Sequence, residues 1–165
     1  MELDRLPPEI EFVLSERGFR ERKLRRGLHG RLAIPFLTVD PGGYPRAALL
    51  TLGEIRATSR STLAVAVRAG SRTAANLIRR KTATIFYLAR NKAVWVQARA
   101  GRGRPSDFDP DRQIFPLSVV RVKVDRAAPE EGAVALTGGP TFSARAGSRL
   151  FSEDLYRELG WEPGG

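Results

Sequence analysis

The sequence predicts a mainly β protein, with an antiparallel sheet or barrel and a few short helices. Short segments of alternating apolar and polar residues follow one another along the chain, and the turns between them are rich in glycine, proline and asparagine. Three segments have the spacing of an amphipathic helix. Consecutive strands joined by short turns favour antiparallel pairing over a doubly wound parallel sheet.

Each predicted helix has a recognisable beginning or end. The helices are expected at residues 7–17, 71–81 and 152–160. Pro8 suits the first turn of the first helix, Gly18 is expected to interrupt it, and a charged stretch, helical or irregular, follows from Arg20 to Arg26. Ser71 and Ser152 are predicted to be the N-caps of the other two helices.

The remaining patterned segments are predicted strands. They cover residues 31–39, 46–52, 61–68, 82–88, 93–100, 117–124 and about 133–137. The first two strands are expected to form a hairpin, because Asp40-Pro41-Gly42-Gly43 between them has the composition of a tight turn. Residues 101–114 are polar, contain glycine and proline, and are predicted to be a loop.

The length and composition favour one domain over residues 1–165, since a chain of this size can bury a core without disulfides or metals. Its expected parts are an N-terminal helical segment at 1–30, the barrel at 31–138 and the C-terminal helix at 152–160. No apolar run approaches the roughly 20 residues of a membrane span, and the N-terminus lacks the order of a signal peptide. We therefore expect a cytoplasmic location and no membrane partner.

The residue inventory argues against several kinds of site. The chain has no cysteine and one histidine, so it has no disulfide or thiolate chemistry, and we expect no transition-metal cluster. Asp107, Asp109 and Asp111 are spaced like the start of a calcium loop. That loop needs a glycine and a glutamate where this chain has Arg112 and Ser118, so the match fails.

The formal net charge of +10 can attract phosphates, nucleic acid or an anionic surface. Nucleic-acid binding through residues 20–26 and 101–104 is one alternative function. The basic residues are spread along the whole chain, however, and no motif for reading base edges is visible. We therefore expect a solvated or anion-attracting surface and no nucleic-acid partner.

An anion site is predicted at the start of the second helix, where a strand is followed by Gly70 and then by Ser71-Arg72-Thr73. Unpaired backbone N–H groups at a helix start attract anions. The two hydroxyls add donors, and the guanidinium of Arg72 suits phosphate oxygens. A plain serine cap beside an exposed arginine is the alternative interpretation.

An ordered set of segments over residues 32–88 resembles the pyridoxamine-phosphate-oxidase-like flavin-binding family. The matching segments are Ala33-Ile34-Pro35-Phe36-Leu37-Thr38-Val39-Asp40, a glycine turn, Tyr44-Pro45-Arg46, the strand 61–68, Gly70-Ser71-Arg72-Thr73-Ala74-Ala75-Asn76-Leu77 and Thr82-Ala83-Thr84-Ile85. The resemblance covers about half of the chain. It implies a six-stranded antiparallel split β-barrel with short helices, a homodimer, and FMN bound at the subunit interface.

The resemblance also implies which residues bind the cofactor. Arg46 and Ser71-Arg72-Thr73 would hold the FMN phosphate; we call these four residues the candidate phosphate site. Ala47, Ala48 and Leu49 would face the ring system, and Ala66 and Val67 would offer it their backbone groups. Asn76 is a further candidate one turn into the helix. Ordinary sheet positions and a surface arginine are the alternative interpretation of these residues.

Two departures from the family pattern argue against the vitamin-oxidase activity itself. The oxidase carries a lysine for the substrate phosphate where this chain has Thr51, and a glutamine near the flavin where this chain has Ala93. No side-chain nucleophile or carboxylate is expected near the ring-binding residues, so flavin redox chemistry on an unknown small molecule is the predicted activity. A split-barrel protein that binds a deazaflavin or haem instead of FMN remains an alternative.

Dimerisation is expected to involve the strand around Trp95, whose apolar surface could meet a second copy. The alternative is that Trp95 packs inside its own barrel, since alternate residues of a strand normally face a core.

Overall fold

The protein folds as a curled antiparallel sheet with short helices packed against it. The computed structural model describes residues 2–24, 32–89, 91–126, 139–143 and 152–160. The strands are β1 (Glu2–Leu3), β2 (Ile34–Val39), β3 (Pro45–Leu50), β4 (Ile55–Ala57), β5 (Thr62–Arg68), β6 (Thr82–Ala89), β7 (Lys92–Ala100), β8 (Arg104–Pro105) and β9 (Arg112–Arg126). The helices are α1 (Pro8–Leu14), α2 (Glu16–Leu24), α3 (Arg72–Arg80) and α4 (Glu153–Glu158). Helices α1 and α3 pack against the main core, and α2 and α4 pack against the outer side of the sheet.

The sheet order is β3-β2-β6-β7-β9-β5-β4, and the short strands β1 and β8 pair with β9. The two edge strands, β3 and β4, are consecutive in the chain and are joined only by residues 51–54. A connection of this length spans at most roughly 17 Å. The sheet therefore has to curl until its two edges approach each other, which makes it an open, half-closed barrel.

This architecture confirms the predicted split-barrel class, with a slightly different strand count. The continuous path has seven strands instead of six because β4, only three residues long, was not recognised in the sequence. The predicted strand at 133–137 lies outside the described residues. Among the described residues, no helix is long and apolar enough to cross a bilayer.

Strand β9 is the longest strand and begins earlier than predicted. Its first residues, together with β8, occupy the segment 101–114 that was expected to be a loop. The loop was predicted from the polar composition of this segment and its glycines and prolines, but pairing with β5 and β8 holds residues 112–114 in a strand. Proline also argues against a central strand, yet Pro116 lies within β9. Here the Pro116 side chain is exposed, Pro116 pairs with Ala64, and its carbonyl accepts a hydrogen bond from the Gly101 N–H at 2.8 Å.

Strand β5 is buried on both faces. Leu63, Val65 and Val67 point into the main core inside the curled sheet. Ala64 and Ala66 point outward into a second apolar cluster, which is completed by α2, α4 and β9 through Phe19, Ile114, Leu155, Tyr156 and Leu159. This explains why residues 63–67 are an unbroken apolar run instead of an alternating one.

The break in the N-terminal helical segment lies at Ser15, so the predicted interruption at Gly18 is wrong. Ser15 has an extended backbone that ends α1, and its hydroxyl donates to the Phe12 carbonyl at 2.8 Å. The same Oγ accepts the Gly18 N–H at 3.2 Å and so caps α2. A serine that satisfies both helix ends outweighs the modest helix cost of one glycine.

The other predicted caps and the hairpin turn are confirmed. Ser71 Oγ accepts the Ala74 N–H at 3.2 Å, and Ser152 Oγ accepts the Leu155 N–H at 3.4 Å. In the turn between β2 and β3, Gly43 has a φ of 89°, a conformation that favours glycine.

Replacing Gly103 with alanine should destabilise the fold by about 1–3 kcal/mol, the usual cost of overpacking. A Cβ atom at this position would lie 2.5 Å from the buried ring of Phe115. Urea unfolding measures the change, and Gly42→Ala is the matched control. A Cβ at Gly42 comes no closer than 3.3 Å to another atom, so the control should stay within about 0.5 kcal/mol of wild type. Equal stabilities of the two variants would contradict the packing described for Gly103.

Candidate cofactor-binding site

Helix α3 is fastened to the barrel along β2. The Asn76 side chain donates from Nδ2 to Thr38 Oγ1 at 3.0 Å, and both residues are buried. One turn later, the Arg80 guanidinium donates to the carbonyls of Asp40 and Pro41, at 3.4 and 3.2 Å. These contacts make α3 run in the same direction as β2, so its first turn lies back toward the middle of that strand.

Arg46 lies on the side of the sheet that carries α3. It pairs with Thr38 across the β2–β3 ladder, and directly paired residues point to the same face. Thr38 in turn contacts Asn76 of α3. The Arg46 side chain is exposed and has no ion pair or hydrogen bond with any described residue.

The first turn of α3 carries the rest of the candidate phosphate site. Ser71 Oγ accepts the Ala74 N–H, which leaves the Ser71 hydroxyl hydrogen free to donate elsewhere. Arg72 is exposed and, like Arg46, has no partner among the described residues. Thr73 is buried. This turn lies roughly 6–8 Å from Asn76 along the helix axis, which is about the length of two residues in the neighbouring strand.

The three predicted ring-facing residues of β3 lie on an edge strand. Ala47 and Leu49 are exposed, with 52% of Leu49 accessible, and Ala48 is half-buried. One side of this strand pairs with β2, while its other side is the open edge of the sheet. A flat ligand can therefore reach both the backbone and the outward side chains of β3.

Ala66 and Val67 are placed differently from the other candidates. Both side chains are buried, Ala66 in the outer cluster beneath α4 and Val67 in the main core. The Ala66 N–H already donates to the Glu54 carbonyl at 2.9 Å. The same bond holds the end of β5 beside the connection 51–54. The end of β5 therefore lies close to the end of β3 and to the start of α3. Asn76, the last candidate, uses its amide to hold Thr38.

Comparison with solved structures places this arrangement among known folds. The chain superposes on a putative pyridoxamine 5'-phosphate oxidase from Lactobacillus delbrueckii with a TM-score of 0.53 and 17% identity, over 73% of this chain and 95% of that one. An FMN-binding protein from Syntrophomonas wolfei gives a TM-score of 0.51 and 12% identity, over 72% and 89%. HupZ from Group A Streptococcus gives 0.50 and 13%, over 59% and 87%.

The chain has the split-barrel fold of the pyridoxamine 5'-phosphate oxidase-like proteins. No protein-family model matches the sequence. The uncharacterized protein YclD of Bacillus subtilis is 32% identical over 96 residues, which are 58% of this chain and 62% of YclD. The chain therefore spans less than two thirds of the length of that relative.

One side of the split barrel holds a charged group that sequence reasoning missed. The Glu54 carboxylate accepts the Thr51 N–H at 2.8 Å and the Thr51 hydroxyl at 3.1 Å, and it pairs with Arg112 at 2.5 Å. The expectation that no carboxylate lies near the ring-binding residues is therefore wrong, since Glu54 also bonds Ala66 through its carbonyl. Arg112 is distant from Glu54 in the sequence, and Thr51 lies in the same turn, so the spacing of the residues did not reveal these contacts.

The C-terminal helix α4 is held over the end of the split barrel by its last residue. The buried carboxylate of Glu158 accepts hydrogen bonds from Arg104 and Ser106, both at 2.5 Å, and from the Asp107 N–H at 2.9 Å. Burial raises the pKa of Glu158, but these three donors together outweigh it, so the pKa lies below its ordinary value. The ionised carboxylate keeps α4 over Ala66.

Removing the Thr38–Asn76 hydrogen bond should loosen α3 from the split barrel. Thr38→Val leaves the buried amide of Asn76 without its acceptor, so the free energy of unfolding should fall by about 1–3 kcal/mol. Asn76→Ala should cost a similar amount, and urea unfolding of both single variants and the double variant should give a coupling of about 1 kcal/mol. Thr82→Val, at an exposed strand position, is the control. Strictly additive losses would show that the two side chains do not depend on each other.

Proposed function

We propose that this split barrel binds FMN, with the phosphate held between β3 and the start of α3. The observation that carries the proposal is a pair of arginines, Arg46 and Arg72. Both side chains are exposed, and both lack a partner among the described residues. Arg46 lies on β3 opposite Thr38 of β2, and Asn76 ties α3, which carries Arg72, to the same Thr38. Two unpaired guanidiniums beside the N–H groups of a helix start suit a phosphate dianion.

The neighbouring residues fit the remaining parts of FMN. The exposed edge of β3 offers backbone groups to a flat ring. Ala48 lies on the same face as Arg46, whereas Ala47 and Leu49 point to the opposite face of the strand. Ser71 has a free hydroxyl hydrogen for a phosphate oxygen. Ala66 and Val67 can contribute only backbone atoms, and the N–H of Ala66 is already used. The ring is therefore expected to contact β3 more than β5.

The proposed activity is oxidoreduction of a small organic molecule. Bound FMN supplies the electron chemistry, and the chain needs to position the ring and the substrate. The described residues contain no group of three or more histidine, cysteine, aspartate or glutamate side chains that could hold a metal. The carboxylate of Glu54 is neutralised by Arg112, so it is occupied as an acceptor and is not a free base.

Pyridoxamine phosphate is not the substrate we propose. In the oxidase a lysine meets the substrate phosphate, and Thr51 stands in its place with its hydroxyl engaged by Glu54. A phosphate approaching Thr51 would meet a carboxylate with no lysine beside it. Arg112 weakens the repulsion between the Glu54 carboxylate and such a phosphate, but it does not turn that repulsion into an attraction.

We also propose that the protein is a homodimer with FMN between the two copies. Within the part of the chain that the structure describes, β3 is an edge strand, and such edges are normally covered. Leu49 on this strand and Tyr44 just before it are exposed, by 52% and 73%. Trp95 alternates with the buried Val94 and Val96, so it lies on the opposite face of the sheet, stacked on Phe86 with ring centroids 4.0 Å apart. This position leaves Trp95 available for a contact between copies.

Arg72→Ala and Arg46→Ala should each weaken FMN binding by about 1.5–3 kcal/mol, the contribution of a hydrogen bond to a charged group. Titration of FMN into the purified protein, followed by quenching of flavin fluorescence, measures the affinity. Arg99→Ala removes an exposed, unpaired arginine from β7 and is the control, for which we expect less than about a twofold change.

Unchanged affinity in both Arg46→Ala and Arg72→Ala would refute the phosphate placement. A protein that binds no FMN, and is colourless or red when purified, would favour the alternative of another cofactor or none.

The activity is tested by supplying the FMN-loaded protein with a reduced nicotinamide cofactor and following flavin bleaching and reoxidation. Efficient turnover of pyridoxamine phosphate, supplied as electron donor in place of the reduced nicotinamide cofactor with oxygen as acceptor, would overturn the interpretation of Thr51.

Sedimentation of the FMN-loaded protein should give about twice the 18.2 kDa mass of the chain. Leu49→Lys places a charge on the exposed edge strand and should shift the protein toward the monomer while leaving its unfolding midpoint nearly unchanged. Val120→Lys alters an equally exposed apolar residue on β9 and is the control. A monomer that holds FMN fully would exclude the shared site.

A further inference from the structure

A cavity lies beside α3, on a different face of the helix from the one that contacts β2. Its volume is about 410 Å³, which is within the usual range of small-molecule pockets. The cavity is formed between α3, the end of β7, the segment 101–103 and β9. Its lining residues are Leu77, Ile78, Lys81, Ala100, Gly101, Arg102, Gly103, Gln113 and Phe115.

The helix geometry separates this cavity from the candidate phosphate site. Asn76 marks the face of α3 that contacts β2. Ile78 is two positions further along, which is about 200° around the helix, and Lys81 is five positions along, or about 140°. The cavity and Arg46 therefore lie against different faces of α3, and a ligand in the cavity would not occupy the FMN phosphate position.

Lys81 is held in a conformation that glycine normally adopts. It ends α3 with a φ of 55°, its N–H donates to the Leu77 carbonyl at 3.0 Å, and its carbonyl accepts from the Ala100 N–H at 2.9 Å. Glycine and asparagine are the usual residues at this point of a helix, because a Cβ atom is unfavourable there. The chain keeps a lysine at this strained position, and its side chain lines the cavity.

The segment Gly101-Arg102-Gly103 presents a second cation at the rim. The backbone lies against β9, since the Gly101 N–H bonds the Pro116 carbonyl and a Cβ on Gly103 would collide with the Phe115 ring. The two glycines therefore allow the close approach, and Arg102 is the side chain that projects from the segment. Arg102 and Lys81 are both exposed, and neither side chain has a hydrogen bond or ion pair with another described residue.

The lining combines these two cations with an apolar floor. Leu77, Ile78 and Phe115 supply the apolar surface, and Gln113 supplies an amide. None of the described lining residues is acidic. We propose that this cavity binds a small organic carboxylate with an apolar body, its carboxylate between Lys81 and Arg102 and its apolar part against Ile78 and Phe115.

The test uses 2-naphthoate as the probe and isothermal titration calorimetry as the measurement, on the whole chain in a buffer without phosphate. We expect saturable binding, weakened at least about fivefold by Lys81→Gly and by Arg102→Ala, because each removes a charged hydrogen-bond donor. Lys81→Gly should not lower the melting temperature, since glycine suits the left-handed backbone. Arg79→Ala, an exposed and unpaired arginine of α3, should change the affinity less than twofold.

The neutral analogue 2-naphthylmethanol separates charge recognition from simple apolar binding, and it should bind at least about fivefold more weakly than 2-naphthoate. No saturable binding of 2-naphthoate, equal binding of the two probes, or unchanged affinity in both Lys81→Gly and Arg102→Ala would each overturn the proposal. The result is independent of FMN binding, because the variants leave Arg46 and Arg72 in place.

Discussion

The four-residue connection between β3 and β4 is the constraint on which this structure depends. These strands occupy opposite edges of a seven-stranded path, yet the chain allows only residues 51–54 to join them. A flat sheet with this order would separate its edges by about six strand spacings, or roughly 28 Å. The connection cannot span that distance, so the sheet curls and encloses the apolar core between its edges.

The same curling brings the candidate cofactor residues together. The end of β5 reaches the connection through the bond between Ala66 and Glu54, and α3 leaves β5 and returns along β2. Arg46 and Arg72, which are separated by 26 positions in the sequence, thereby come to lie on the same side of the sheet. Neither guanidinium has a partner among the described residues, although other arginines, such as Arg56 and Arg104, have carboxylate partners.

Sequence reasoning succeeded where local chemistry determines the structure. The caps at Ser71 and Ser152 and the turn after Asp40 depend on neighbouring residues, so they could be predicted. It failed where contacts between residues far apart in the sequence determine the structure. Strand β4 has three residues and exists because β5 pairs with it, and β9 continues through Pro116 because four other strands pair with it. The bond between Thr51 and Glu54 and the burial of Ala66 under α4 depend on the folded arrangement, which no local pattern encodes.

The pairing pattern also has a consequence for the order of assembly. Strand β7 pairs with β6, which precedes it directly in the chain, and with β9, which follows after residues 101–111, so these three strands can meet after closing only short loops. Strand β2 must pair with β6, and β5 with β9, across separations of about fifty residues. Contacts that close such long loops form late, because their entropy cost is met before any stabilisation is gained. The cofactor candidates lie on β3, β5 and α3, which belong to these late-joining parts, so the site is expected to be completed only in the last stage of folding.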